Sequence, residues 1–77
     1  DVDAGLLARE RDAALWKAFA TLSSRCQALL RMLSCDPPPS YEDVSGALSM
    51  AIGSIGPTRG RCLATLERAF AGARITD

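Results

Sequence analysis

At 77 residues the chain amounts to one domain, and a fold this small buries only about 60% of its unfolded surface. Nine basic and nine acidic side chains cancel to a formal charge of zero, which argues against an indiscriminate polyanion binder. Aromatics are few and β-branched residues scattered, so a sheet has little to build on, whereas the abundant Ala and Leu favour an all-α bundle.

Asp1 and Asp3 can cap a first helix and complement its positive end. Leu7, Ala14, Leu15, Ala18, Phe19 and Leu22 recur at helical spacing, with Arg9, Glu10, Arg11, Asp12 and Lys17 on the wet face. Gly5 blurs the start, so the solid part is about 10–22. Ser23-Ser24 offers the next cap. Cys26, Leu29, Leu30 and Leu33 follow at i, i+3, i+4 and i+7, an apolar stripe with Arg25, Gln27 and Arg31 opposite. The prolines after Asp36 lack amide donors and end this helix, leaving a stiff connector at 36–39. A proline-recognition ligand is the alternative for this run, but no PxxP context surrounds it.

Ser40-Tyr41-Glu42-Asp43 has the form of a capping box and predicts a third helix over 41–48, with Val44, Ala47 and Leu48 as its apolar face. A tight turn over 49–53 follows. Gly53 can take the left-handed conformation there without a Cβ penalty, and Met50 and Ile52 can tuck inward. Ser54 caps the last helix, and Pro57 falls within its first turn, where a missing amide costs little. Ile55, Cys62, Leu66 and Phe70 share one side with Leu63 beside them, and Gly72 ends the helix. No internal repeat interrupts this pattern. The domain thus divides into a helix pair at about 10–35, the connector, and a helix-turn-helix at 40–71.

Residues 1–36 are balanced in charge, but beyond residue 53 Arg59, Arg61, Arg68 and Arg74 face only Glu67 and Asp77. That asymmetry hints at a polyanion on one face, the alternative being an ordinary solvated helix surface. Cys26, Cys35 and Cys62 lack CxxC spacing and the chain has no histidine, so a structural zinc site needing four Cys or His ligands falls short. The odd count argues against a disulfide framework. Cys26 and Cys62 are read as buried small hydrophobes and Cys35 as more exposed, in keeping with a reduced, cytoplasmic compartment. No apolar run can span a membrane, and no signal-peptide pattern is present. The chain does not begin with Met and reads as a domain cut from something longer.

Enzymatic chemistry has little to stand on. Glu42 and Asp43 are adjacent on a helix and diverge, so they cannot flank a reacting bond. The Gly53–Gly56 tract lacks the spacing of a nucleotide fingerprint, and no strand precedes it. Neither a cofactor nor a small-molecule substrate is implied. A short capped helix, a turn and a longer basic helix instead form a helix-turn-helix pattern. Val44, Ala47 and Leu48 should then meet Ile55, Cys62 and Leu66. At 100° per residue, Pro57, Gly60, Arg61, Ala64 and Arg68 fall opposite the apolar stripe. Small residues permit close approach to DNA, and Arg61 can reach a guanine edge or a phosphate. Arg59 points near the stripe, with its stem on the core and its head free to reach a phosphate, and Thr58 lies on the flank. The alternative is four helices with a solvated arginine face, because helix-turn-helix geometry also occurs without DNA binding.

Three tracts carry a resemblance: Leu29-Leu30-Arg31-Met32-Leu33, Asp36-Pro37-Pro38-Pro39-Ser40-Tyr41-Glu42-Asp43-Val44, and Gly53-Ser54-Ile55-Gly56-Pro57-Thr58-Arg59-Gly60-Arg61-Cys62-Leu63. Together, over about residues 10–70, they resemble region 4 of bacterial RNA polymerase sigma factors of the extracytoplasmic-function group. Trp16, Leu22, Ser24, Arg25 and Cys26 also resemble that family's approach to its second helix. The resemblance implies reading of the upstream (minus-35) promoter element in the major groove of duplex DNA. It implies docking of the RNA polymerase β-subunit flap in a hydrophobic concavity, and occlusion by an anti-sigma factor in some members. By position it assigns Gly56, Pro57, Gly60 and Arg61 to the groove, flanked by Ser54 and Thr58. Many relatives carry Arg or Lys where this chain has Gly56 and Thr58, so Arg61 is the reader that carries over and DNA shape gains weight. The alternatives are a protein-interaction module held by an anti-sigma factor or other regulator, or the helix-turn-helix output domain of another transcription regulator.

Overall fold

Several helix boundaries in this chain are set by local hydrogen bonds, and the arrangement follows from where the apolar stripes can meet. The computed structural model describes the backbone of residues 2–75 and the side chains of residues 9–73. Within them the protein is all-α: α1 (Val2–Ala20), α2 (Ser24–Leu33), α3 (Tyr41–Leu48) and α4 (Ile52–Ile75).

The first helix begins earlier and ends earlier than its periodicity predicts. Asp3 lies inside it, and the proposed Asp1 cap is outside the described residues. Its end closes in tight turns, with the Thr21 and Leu22 amides donating to the Ala18 and Phe19 carbonyls. Gln27, expected on the wet side of α2, instead donates its amide to the Leu22 carbonyl at 2.9 Å and satisfies this turn. Ser23 caps α2 by accepting from the Cys26 N–H at 3.2 Å. Ser40 caps α3 by accepting from the Asp43 N–H at 3.1 Å. Each such cap contributes about 1 kcal/mol.

The turn into α4 departs from expectation. Ser49, at φ 54°, takes the left-handed conformation, and no glycine has positive φ among the described residues. The reason lies in Met50, whose side chain is 7% exposed. The chain must reverse before Met50 to bury it, and the Met50 N–H and carbonyl are both held by Ser45. Consequently α4 starts at Ile52, which stays half exposed instead of tucking in. Ser54 sits inside the first turn, its hydroxyl donating to the Ala51 carbonyl at 2.8 Å, and is not the cap. Gly72 does not stop the helix. Glycine costs only about 1 kcal/mol relative to alanine in a helix, and the neighbours Ala71, Ala73 and Arg74 carry it through to Ile75.

Two clusters make the core. Phe19, Leu22, Leu30 and Cys62 form the first, with Cys26, Leu63 and Leu66 packed against it. Leu29, Val44, Met50 and Ile55 form the second, with Met32, Leu33 and Leu48 around them. The adjacent residues Leu29 and Leu30 thus feed different clusters, and so do Ile55 and Cys62 on α4. The expected meeting of α3 with Cys62 and Leu66 does not occur, because those residues face α1 and α2. Ala47 is exposed.

The expectation that the chain holds no disulfide is overturned, although Cys62 is buried and Cys35 exposed as read. Cys26 of α2 and Cys62 of α4 are joined in a disulfide, their Cα atoms 5.5 Å apart, while Cys35 is free and exposed. Two small side chains at facing positions of packed helices lie within bonding reach, which no local spacing reveals. For a sequence separation of 36, the loop-entropy model gives a stabilisation of about 4 kcal/mol. No helix among the described residues is long and apolar enough to cross a membrane.

Leu29 is fully buried, and Leu29→Ala should lower the unfolding free energy by about 2–5 kcal/mol in urea titration. Ala47→Lys should stay within about 0.5 kcal/mol of the parent in the same titration. A large loss at Ala47 would show that α3 presents a different face to the core.

Candidate nucleic-acid interface

Ile55 and Cys62, at 0% and 1% exposure, fix which side of α4 faces inward. Seven residues complete nearly two turns, so these two side chains lie almost in line. On the remaining sides of the helix Gly56, Pro57, Gly60, Arg61 and Arg68 are exposed, whereas Ser54, Thr58 and Ala64 are half-buried. The structure therefore brings Gly56, Pro57, Gly60 and Arg61 to one outer face, with Ser54 and Thr58 on its flank.

That face carries an ordered polar ladder. Arg61 Nη2 donates to Thr58 Oγ1 at 3.2 Å, and Thr65 Oγ1 donates to the Arg61 carbonyl at 3.0 Å. Arg68 Nη2 then repeats the first contact on Thr65 Oγ1 at 3.3 Å. Threonine hydroxyls one turn before each guanidinium restrict where it points without neutralising it. At 1.5 Å rise per residue, the two arginine positions are about 10 Å apart along the helix. Thr65 was missed in the sequence because a threonine on a wet face attracts no notice; its i+3 spacing from an arginine, repeated from Thr58, was the available signal.

Gly56 and Gly60 leave this face bare. A Cβ built on either meets nothing within 4 Å, so the fold itself does not require glycine there. Pro57 cannot donate to the Gly53 carbonyl one turn earlier, and both residues are exposed.

Arg59 goes the other way. It lines a groove of about 340 Å³ with Leu30 and Leu33 of α2, Leu63 and Leu66 of α4, and Trp16 of α1. Although Arg59 and Arg61 are only two positions apart, a 200° rotation places them on opposite sides of α4. The groove is apolar apart from its rim. Trp16 is 60% and Leu15 39% exposed, Trp16 packs edge-on against Phe19 at 5.6 Å, and the Arg31 guanidinium lies 5.2 Å over the Phe19 ring. Leu15, expected in the core stripe of α1, is thus part of a concave surface. Among the described residues no three Cys, His, Asp or Glu side chains gather as a metal site would require.

Comparison with known proteins adds nothing to this geometry: no family model, no curated protein and no solved structure matches the chain.

Because the space at Gly60 is open and its backbone helical, Gly60→Ala should raise stability by about 0.5–1 kcal/mol, read as a higher melting temperature. A lowered melting temperature would mean that Gly60 is needed for packing after all.

Proposed function

We propose that this chain is the DNA-reading domain of a sigma factor, equivalent to region 4 of the extracytoplasmic-function group. In this reading α3, the turn at 49–51 and α4 form a helix-turn-helix, with α3 bracing α4 and the outer face of α4 entering the major groove. The observation that carries it is the Thr58–Arg61 pair standing on an outer face otherwise made of Gly56, Pro57 and Gly60. Small residues let the helix backbone approach the bases, and Arg61 is positioned to meet a guanine edge. Arg68 is spaced to take a phosphate, which fixes register without reading sequence. Ser54 and Thr58 flank the approach, and Arg59 serves the opposite groove.

With a net charge of zero and few phosphate contacts, the domain on its own binds duplex DNA weakly and with a shallow salt dependence. Tethering to RNA polymerase raises its effective concentration at the promoter. The apolar groove beside Trp16 supports that second attachment, and the resemblance supplies its occupants: the β-subunit flap, or an anti-sigma factor that displaces it. The domain then acts in the cytoplasm, without cofactor or catalysis. The groove also favours a second reading, in which protein docking is the principal task and DNA contact is incidental.

Selection from a duplex library with a randomised core should enrich one short motif with the parent chain. Arg61→Ala should lose that enrichment, at a cost of about 1–3 kcal/mol for the preferred motif. Arg68→Ala should weaken all duplexes alike and flatten the salt dependence by about one phosphate contact. Failure of the parent chain to enrich any motif, alone or tethered to polymerase, would leave only the docking reading. In that event Trp16→Ala should abolish partner binding while Arg61→Ala leaves it unchanged.

A further inference from the structure

The Cys26–Cys62 bond lies at a mechanically important place. It ties α2 to α4, the two helices that supply Leu30, Leu33, Leu63 and Leu66 to the groove. Cys26 precedes Leu30 by one turn, and Cys62 directly precedes Leu63, so the bond holds together the walls on which a partner would rest. Its two cysteines are not equally covered. Cys62 is 1% exposed within the cluster of Phe19, Leu22 and Leu30, whereas Cys26 is only half-buried.

We propose that Cys26 and Cys62 form a reversible dithiol–disulfide site that exchanges with small thiols through Cys26. The inference stands apart from DNA reading, since it needs only the two helices and their sulfurs. In the reducing direction a small-molecule thiolate attacks Cys26 Sγ. The Cys26–Cys62 bond breaks, a mixed disulfide forms on Cys26, and the electron pair leaves on Cys62 Sγ, which takes a proton from solvent. A second thiolate attacks the outer sulfur of the mixed disulfide. It releases Cys26, which is protonated in turn, and a symmetrical small-molecule disulfide. Two electrons enter the protein and two small thiols are oxidised; the reverse sequence uses the small disulfide as oxidant. Cys35 cannot substitute for the external thiol. It lies nine residues beyond Cys26, about 13 Å along the direction of α2, and its thiol donates to the Arg31 carbonyl.

The chemical state of the pair reaches the groove by a short route. Cys62 packs with Phe19, and Phe19 packs edge-on with Trp16, the chain's single tryptophan. Reduction removes the cross-link between the walls, so the groove loosens and the domain melts earlier. In a compartment rich in thiols, where disulfides form only transiently, the pair makes partner docking and stability depend on redox state.

The test uses the 77-residue chain carrying Cys35→Ser, equilibrated in buffers of graded glutathione to glutathione-disulfide ratio. Alkylation followed by intact mass measurement counts the free thiols, while melting and Trp16 emission are read on the same samples. The expected result is a transition between zero and two alkylated thiols, with the melting temperature about 15 °C or more lower on the reduced side. Trp16 emission should shift over the same range of ratios. Trapped mixed disulfide, mapped by peptide mass, should sit on Cys26 in the parent, and Cys62→Ala should form the same adduct. Because Cys62 fills the core, the parent mapping decides if that variant fails to fold. Two free thiols at every ratio would overturn the proposal. So would a disulfide whose reduction changes neither melting nor Trp16 emission, or an adduct mapped to Cys62 alone.

Discussion

The pairing of α2 with α4 is the constraint on which the rest of the structure depends. Each of these helices contributes to both hydrophobic clusters: α2 through Leu30 and Leu29, α4 through Cys62 and Ile55. The remaining helices attach to this pair from opposite ends. α1 completes the first cluster with Phe19, and α3 with its turn completes the second with Val44 and Met50. Neither flanking helix could hold its place alone. An eight-residue helix such as α3 is well below the length at which an isolated helix persists in water. With so few buried side chains, the covalent bond between α2 and α4 supplies a share of stability comparable to a large core residue.

Fixing α4 by two inward residues two turns apart also gives that helix two working sides. At 24 residues it is about 36 Å long. Its outer side carries the Thr58–Arg61 and Thr65–Arg68 pairs, and its inner flank carries Arg59, Leu63 and Leu66 into the groove. On the proposed reading, nucleic acid and protein partners would approach from different directions and could be held simultaneously. A single rigid helix would then fix the distance between them.

Much of the fold was legible because it is written in short-range chemistry. Ser23 and Ser40 cap the helices expected of them, since a hydroxyl three residues from an amide either reaches it or does not. The stripe from Cys26 to Leu33 marks the inner side of α2, which closes at Ser34, three residues ahead of the proline run. What could not be read locally depended on tertiary demands. Burial of Met50 moved the left-handed residue to Ser49, and with it the start of α4, so that Gly53 and Ser54 lost their expected roles. The disulfide joins residues 36 positions apart and becomes visible only when α2 and α4 are packed. The outer face of α4 was recoverable from helical rotation alone, as was the separation of Arg59 from Arg61. The groove was legible only as the concavity that the resemblance implied, because helical spacing put Leu15 in the core stripe of α1.

The position of the disulfide in the chain has a topological consequence. Residues 27–61, including the exposed proline connector and all of α3, lie within the ring that the bond closes. A single backbone cut between α2 and α4, for instance beside the exposed Ser49, would therefore open a ring and not sever the molecule. The nicked protein would keep its mass apart from one added water, and its halves would part only when the bond between α2 and α4 is broken. A break in the chain between α2 and α4 thus leaves the two halves of the molecule covalently joined.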